Sequence, residues 1–278
     1  MNSPTSKPIT EILPESGWPS LGLRELWQYR DMLKLLVWRD FSSRYRQSFI
    51  GVGWALIRPI VSVVVFTIVF GKMVGVPSDD VPYPIFNFTG MLPWLFFAGV
   101  LATSSQSMTS GAALISKVYF PRLILPLSKI AGGLIDLAIQ FALLAFMMFY
   151  FGVSPTPKLL AIPLFLIMAI MAALALGLLL TTVSVKYRDV HHVVPFLIQT
   201  WMWMTPVVYP SSMVDEKWRY LYGLNPLVGV VDGFRWSVLG SVDPDWRMML
   251  ISLVTTVVLM VFSLYYFRRT ESKFADII

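Results

Sequence analysis

The stretch WRDFSSRYRQSFIGVGWALIRPIVSVVVFTIVFGKMV, residues 38–74, joins an arginine-rich segment directly to a long apolar one. A helix needs about 20 consecutive apolar residues to cross the roughly 30 Å hydrocarbon core of a bilayer. Residues 54–74 meet this requirement, with Arg58 and Lys72 close to the two ends. The stretch therefore predicts a basic helix that leads into a first membrane span.

The whole chain is more apolar than a soluble domain. Of its 278 residues, 56% are hydrophobic and 14% are charged, and the mean hydropathy is +0.67. The alternating pattern of an outer-membrane strand is not evident, so the composition predicts an all-α polytopic membrane protein. The chain contains no cysteine, which excludes disulfides and thiolate metal sites.

Apolar runs, separated by Pro and Gly, predict six membrane spans. These are residues 54–74, 85–107, 122–151, 159–185, 192–210 and 246–267. The apolar segment 220–240 is interrupted by Asn225 and Pro226, and we expect a re-entrant or interfacial helical hairpin there. This gives a loose cytoplasmic tail over 1–30, a transmembrane domain over 31–270 and a short cytoplasmic tail over 271–278.

The distribution of basic residues predicts the orientation. With six spans, one side of the membrane collects sixteen of the 22 lysines and arginines, together with both termini. Cytoplasmic loops are the ones enriched in Lys and Arg, so we expect both termini in the cytoplasm. The net charge of +6 then describes topology and contact with lipid headgroups, and no nucleic acid partner is expected.

The arginine-rich segment has the pattern of an amphipathic helix. At 100° per residue one arc collects apolar side chains and the other collects polar ones. The apolar arc holds Leu35, Trp38, Phe41, Tyr45 and Phe49, and the polar arc holds Arg39, Asp40, Ser43, Arg44, Arg46 and Gln47. We expect residues 34–49 to lie along the cytoplasmic membrane surface, either as an anchor that fixes topology or as a docking surface for a cytoplasmic partner.

No catalytic constellation emerges from the remaining polar residues. His191 and His192 are adjacent and fall on different helix faces, and no nucleotide-binding loop is present, so any driving ATPase must be another polypeptide. Asp136 is the ionisable residue well inside a predicted span. We expect Arg58 as its partner, because an unpaired carboxylate in a membrane is costly; a proton relay is the less favoured alternative.

Four motifs together resemble those of the transmembrane subunits of type-2 ABC exporters for lipopolysaccharide O-antigen and related polysaccharides. They are LVWRDFSSRYRQSFIGVGWALIRP at 36–59, ISKVYFPRLILPLS at 115–128, VKYRDVHHVVPFLIQTWMWMTPVVYP at 185–210 and LNPLVGVVDGFRW at 224–236. The resemblance covers about residues 30–270. It implies a homodimer bound to two copies of a cytoplasmic ATPase, which holds the ATP and Mg²⁺, and export of an undecaprenyl-linked glycan across the bacterial inner membrane.

The resemblance also implies roles for particular residues. An ATPase interface would include Trp38, Arg39, Asp40, Arg44 and Arg46 of the basic helix, with Lys186, Arg188 and Asp189 of the 185–192 loop. The basic hairpin between spans two and three is either an ordinary positive-inside loop or a cytoplasmic gate that meets a pyrophosphate headgroup. Its candidate residues are Lys117, Tyr119, Phe120 and Arg122.

A glycan conduit would need aromatic faces with few charges, because stacking on sugar rings tolerates many registers. The candidates are Trp201, Trp203 and Tyr209, followed by Phe66, Phe70, Phe88 and Trp94. The tryptophans would equally fit an interfacial belt facing lipid. Two other functions stay open at this point: a type-2 ABC exporter of small hydrophobic molecules and, with less support, a membrane enzyme acting on polyprenyl-linked sugars.

Overall fold

The computed structural model describes residues 22–46, 49–187, 189–240, 243–271 and 274, and among these residues all regular secondary structure is helical. Two helices, α1 (Leu23–Gln28) and α2 (Arg30–Tyr45), precede the first apolar segment. The others are α3 (Trp54–Phe66), α4 (Tyr83–Ser105), α5 (Ser107–Ser110), α6 (Ala112–Ile115), α7 (Ile124–Tyr150), α8 (Ile162–Lys186), α9 (Val190–Trp203), α10 (Glu216–Gly223), α11 (Pro226–Leu239) and α12 (Trp246–Glu271).

Five helical segments are long and apolar enough to cross a membrane. They are Gly51–Val74, Tyr83–Ser105, Ile124–Tyr150, Pro157–Lys186 and Trp246–Glu271. The first consists of a short 3-10 turn, α3 and a π-helical continuation over Thr67–Val74. These segments coincide with five of the six predicted spans and confirm a helical polytopic architecture.

The remaining predicted span, 192–210, is only partly helical. Helix α9 has 14 residues, fewer than the roughly 20 that cross a bilayer as a helix. Pro206 explains this end, because a proline disfavours helical backbone at the residue before it and supplies no N–H to the helix ladder. The chain continues through turns to Pro210 instead.

The bundle has two ends. At the distal end, the Tyr83 hydroxyl at the start of α4 donates to the Val208 carbonyl oxygen at 2.6 Å. At the terminal end, where the described chain begins and ends, the Thr181 hydroxyl donates to the Ser104 carbonyl oxygen at 2.7 Å. Ser104 and Thr181 lie near the C-terminal ends of α4 and α8, so the two helices are parallel. The distal end comprises residues 75–82, 151–156, 204–215, 240 and 243–246.

Two hydrophobic clusters hold the helices together. The larger cluster is centred on α4, whose side chains are mostly buried against α7, α8 and α11. A second cluster at the terminal end joins α2, the 108–125 segment and the ends of α8 and α12. Leu36, Phe120 and Phe267 are among its buried members. Helix α2 is thus part of the folded subunit.

The contact face of α2 differs from the predicted apolar arc. Leu36 is buried in the terminal cluster, whereas Trp38 is 70% exposed and Leu35 is exposed as well. The reason is that the neighbouring face, which also carries Met32 and Leu33, packs on the protein. Of the predicted aromatic arc, Trp38 stays exposed, whereas Phe41 and Tyr45 are only partly exposed. Residues 46–50 separate α2 from the first span, and Gly51 takes a positive φ of 58° at this corner.

Candidate functional site

Charged side chains fasten α2 to α7. Asp40 accepts hydrogen bonds from its neighbour Arg39 at 3.1 Å and from the Lys129 ammonium of α7. One turn further along α2, the Arg44 guanidinium donates to Asp136 at 2.6 Å, and the Tyr45 hydroxyl donates to the other carboxylate oxygen at 2.9 Å. We call the two ion pairs that join the helices, Asp40 with Lys129 and Arg44 with Asp136, the α2–α7 clamp.

The clamp corrects the predicted partner of Asp136. The carboxylate is paired with Arg44, whereas the Arg58 guanidinium lies over the Trp54 ring, 5.9 Å from its centre. The sequence prediction was wrong because it considered depth along the spans alone. A surface helix that lies beside α7 carries its own arginine to the same carboxylate.

The clamp also explains the titration of Asp40. Burial alone would raise the pKa of this carboxyl, but the hydrogen bonds and charges of Lys129 and Arg39 outweigh burial and hold the pKa below its usual range. Asp40 therefore stays ionised at neutral pH. The Asp40–Lys129 pair therefore keeps its charge-assisted hydrogen bond at neutral pH.

The other predicted ATPase contacts lie at the terminal end. Arg39 and Arg46 are exposed on α2, and Lys186 and Asp189 are exposed where α8 gives way to α9. Arg188 lies outside the described residues. Because Val185 and Leu36 belong to the same terminal cluster, the fold brings α2 and the 185–189 turn to one end of the bundle. Their contact with an ATPase remains a prediction.

The fold places the residues of the predicted gate hairpin in different environments. Lys117 and Tyr119 are exposed, and the Tyr119 hydroxyl donates to Glu25 at 3.3 Å. Phe120 is only 4% exposed, so its assignment to the gate was wrong: the ring fills the terminal cluster. Arg122 already has a partner within the subunit: its backbone N–H and its guanidinium both donate to Glu271 at the end of α12.

The predicted conduit aromatics fall into two groups. Phe88 and Trp94 are 0% and 3% exposed within the single subunit, so they belong to the core of α4 and were wrongly assigned to a lining. Phe66, Phe70 and Trp203 instead form a partly exposed row, with ring centres 5.9 Å apart at each step. This aromatic row joins the first span to α9.

Trp201 and Tyr209 point into the subunit rather than along this row. The Trp201 indole N–H donates to Asn225 at 3.0 Å. The Tyr209 hydroxyl donates to the Trp203 carbonyl oxygen and lies 2.9 Å from the Tyr222 hydroxyl. Both residues connect the end of α9 and the segment after it to helices α10 and α11, which gives them a structural part in the fold.

A cavity with several charged lining residues at the distal end was missed at the sequence level. It has a volume of about 270 Å³, and Asp79, Asp232 and Arg235 are among its lining residues. Asp232 and Arg235 are one turn apart on α11 and are both buried. The available signal was a charged pair at i and i+3 inside an apolar helix, a spacing that places both side chains on one face.

Arg235 organises the distal cavity. Its guanidinium donates to the carbonyl oxygens of Val207 at 2.7 Å and Tyr209 at 3.0 Å, and it covers the Phe86 ring at 3.7 Å. The buried Arg235 cation therefore holds the segment that follows α9. Burial raises the pKa of the neighbouring Asp232 to about 6, although the positive charge of Arg235 opposes this shift.

Known proteins were compared with the chain as well. The family model described as ABC-2 type transporter matches residues 32–239. The chain is 30% identical over 257 residues to the "O-antigen export system permease protein RfbA" of Myxococcus xanthus, which covers 91% of this chain and 98% of that protein. It is 27% identical to a Klebsiella pneumoniae protein of the same name, over 89% of this chain and 95% of that protein.

A more distant relative is the "Polysialic acid transport protein KpsM" of Escherichia coli, 23% identical over 86% of this chain and 94% of that protein. The family match runs from α2 through α11 and so includes the α2–α7 clamp, the aromatic row and the part of the distal cavity that α11 and the preceding segments form. It spans most of the chain and agrees with the resemblance of the four motifs. The chain therefore belongs to the ABC-2 type transporter membrane family.

Proposed function

We propose that this chain is the transmembrane subunit of an ATP-driven exporter that moves undecaprenyl-linked O-antigen or a related polysaccharide across the bacterial inner membrane. The observation that carries the proposal is the full-length similarity to the Myxococcus xanthus O-antigen export permease, over 98% of that protein. The polysialic acid relative extends the same substrate class to a second glycan.

The proposed topology has six crossings with both termini in the cytoplasm. Helix α9 begins just after α8 at the terminal end, and Val208, beyond α9, accepts its hydrogen bond from Tyr83 at the distal end. A 14-residue helix followed by turns would thus complete the fifth crossing. Non-helical backbone is tolerated at membrane depth where protein covers it. Helices α10 and α11 would form the re-entrant hairpin before α12 returns.

The proposed assembly is a homodimer with two copies of a separate ATPase, which would bind ATP and Mg²⁺. The sequence has no nucleotide-binding loop of its own. Exposed charges of α2 and of the 185–189 turn share the terminal end, where a cytoplasmic partner would meet them. The clamp to α7 would pass movement of the partner into the bundle, because α7 is one of the long spanning helices.

The aromatic row is the proposed glycan surface. Phe66, Phe70 and Trp203 present connected ring faces that carry no net charge, and stacking on such faces would hold sugar rings without fixing their register. In a homodimer, two copies of the row would face a shared passage. This passage would suit a substrate too long to be enclosed in a pocket.

Complementation tests the proposed function. The gene, expressed together with a candidate ABC ATPase from the same genome, should restore surface O-polysaccharide to a host whose own export permease has been deleted. A matched control expresses the chain with an ATPase whose catalytic glutamate is replaced by glutamine. Recovery of drug efflux without surface glycan would instead support the export of small hydrophobic molecules.

A further inference from the structure

The distal cavity is a built polar site within one subunit. It lies between the 75–82 turn, the segment after α9, helix α11 and the start of α12. Its lining includes four aspartates, two arginines and one tryptophan, namely Asp79, Asp232, Asp243, Asp245, Arg219, Arg235 and Trp236. None of these residues belongs to the α2–α7 clamp or to the aromatic row.

Two of the lining side chains are buried with unused hydrogen-bonding atoms. Asp232 and Arg235 are each 7% exposed. Among the described residues, Oδ2 of Asp232 and Nε of Arg235 have no hydrogen-bond partner. Buried polar atoms are normally paired, so an unpaired acceptor and an unpaired donor on two residues that line one cavity point to a ligand that offers both groups.

The charges of the cavity restrict the class of ligand. Four carboxylates against two guanidinium groups give an acidic lining, which disfavours phosphate and other anions. No group of three His, Asp or Glu residues within the described ranges is arranged to hold a metal ion. The unpaired acceptor and donor suit a hydroxyl-rich molecule, since each hydroxyl both donates and accepts.

The size and the aromatic wall of the cavity favour a sugar ring. Pockets for drug-sized ligands run from about 300 to 1,000 Å³, and this cavity, at about 270 Å³, is smaller. Trp236 lines one wall, with its indole N–H held by Asp243 at 3.0 Å and its ring edge-on to Trp246 at 5.3 Å. A fixed indole is a suitable platform for one pyranose ring.

We propose that the distal cavity binds a single uncharged sugar ring of the exported glycan as it leaves the conduit. Asp232 and Arg235 would bind adjacent ring hydroxyls, and Trp236 would pack against the ring. This inference rests on the proposed function, because it takes the glycan as the substrate. The site would be an exit subsite, separate from the aromatic row that would guide the glycan through the membrane.

Direct binding to the full-length chain in lipid nanodiscs tests the inference. The probes are the methyl glycosides of glucose, galactose, mannose and rhamnose, detected by saturation-transfer-difference NMR. At least one should bind in the millimolar range, and Asp232→Asn should weaken its binding about tenfold, as expected for loss of a charged hydrogen-bond partner. Asp215→Asn is the matched control: it removes an exposed carboxylate from the same end, outside the cavity.

A second variant distinguishes a specific loss of glycoside binding from misfolding of the protein. Leu239 lines the cavity and is partly exposed, so Leu239→Trp would fill the space while leaving Asp232 and Arg235 in place. It should abolish glycoside binding in a protein whose thermal unfolding is unchanged. Absence of binding by all four glycosides, or equal binding by the wild type and Leu239→Trp, would overturn the proposal.

Export measured in the same variants separates the two proposals. If the wild type restores surface glycan but binds no glycoside, the exit subsite is wrong and the transport function stands. If the wild type restores no surface glycan with its own ATPase, the transport function itself fails, whatever the glycosides do.

Discussion

The α2–α7 clamp gives the sharpest prediction, because sequence and structure named different partners for Asp136. We expect Arg44→Gln and Asp136→Asn to be coupled in a double-mutant cycle. Arg58→Gln and Asp136→Asn should be nearly additive, since the Arg58 guanidinium lies over Trp54 and forms no ion pair within the described residues.

The structure sets the size of the coupling. Hydrogen bonds to charged groups contribute about 1.5–3 kcal/mol. The Arg44 side chain is 39% exposed and that of Asp136 is 22% exposed, so solvent screening moves the value toward the roughly 0.2–1 kcal/mol of surface pairs. We therefore expect a coupling energy of about 1 kcal/mol for Arg44 and less than about 0.5 kcal/mol for Arg58.

The measurement is equilibrium unfolding of the detergent-purified chain in mixed micelles of increasing SDS fraction, followed by far-UV circular dichroism. Each cycle needs the wild type, two single variants and the double variant. Additive Arg44 and Asp136 variants, or a larger coupling through Arg58, would refute the clamp and restore the partner expected from span depth.

Three further changes test packing, the conduit and the gate. Gly233→Ala should lower the free energy of unfolding by about 1–3 kcal/mol, because its Cβ would lie 2.2 Å from the Phe165 ring, whereas Gly99→Ala, with nothing within 4 Å, should not destabilise the chain. Equal unfolding midpoints would contradict this packing. Trp203→Ala should reduce the export of long glycans, read on polysaccharide gels, with unchanged recovery of the purified complex. Lys117→Glu should lower export while detergent-phase ATP hydrolysis persists; normal export would exclude contact with an anionic headgroup.

The sequence by itself determined the class of fold and the main helices. Hydropathy over residues 54–74 and the four other confirmed segments requires helices, because hydrocarbon leaves backbone groups no partner outside the helix. Four motifs in order were enough to indicate the family, and the family match over 32–239 confirmed it. Local composition predicts the helices, and the order and spacing of the motifs indicate the family.

Tertiary structure decided which side chains meet. Periodicity placed Phe88 and Trp94 on a spanning helix, but only the packing of α7, α8 and α11 around α4 showed that both are core residues. The same holds for Phe120, which fills the terminal cluster rather than a gate. In a membrane helix, lipid-facing and core-facing residues are equally apolar, so hydropathy cannot separate them.

Polar contacts between residues far apart in the sequence could not be predicted from the sequence either. Asp136 is paired with Arg44, 92 residues earlier, and Arg235 of α11 donates to the carbonyl oxygens of Val207 and Tyr209, which precede α10. A charge in an apolar segment signals that some partner is needed. Which partner satisfies it depends on how the helices are arranged in space, and the sequence pattern does not contain that arrangement.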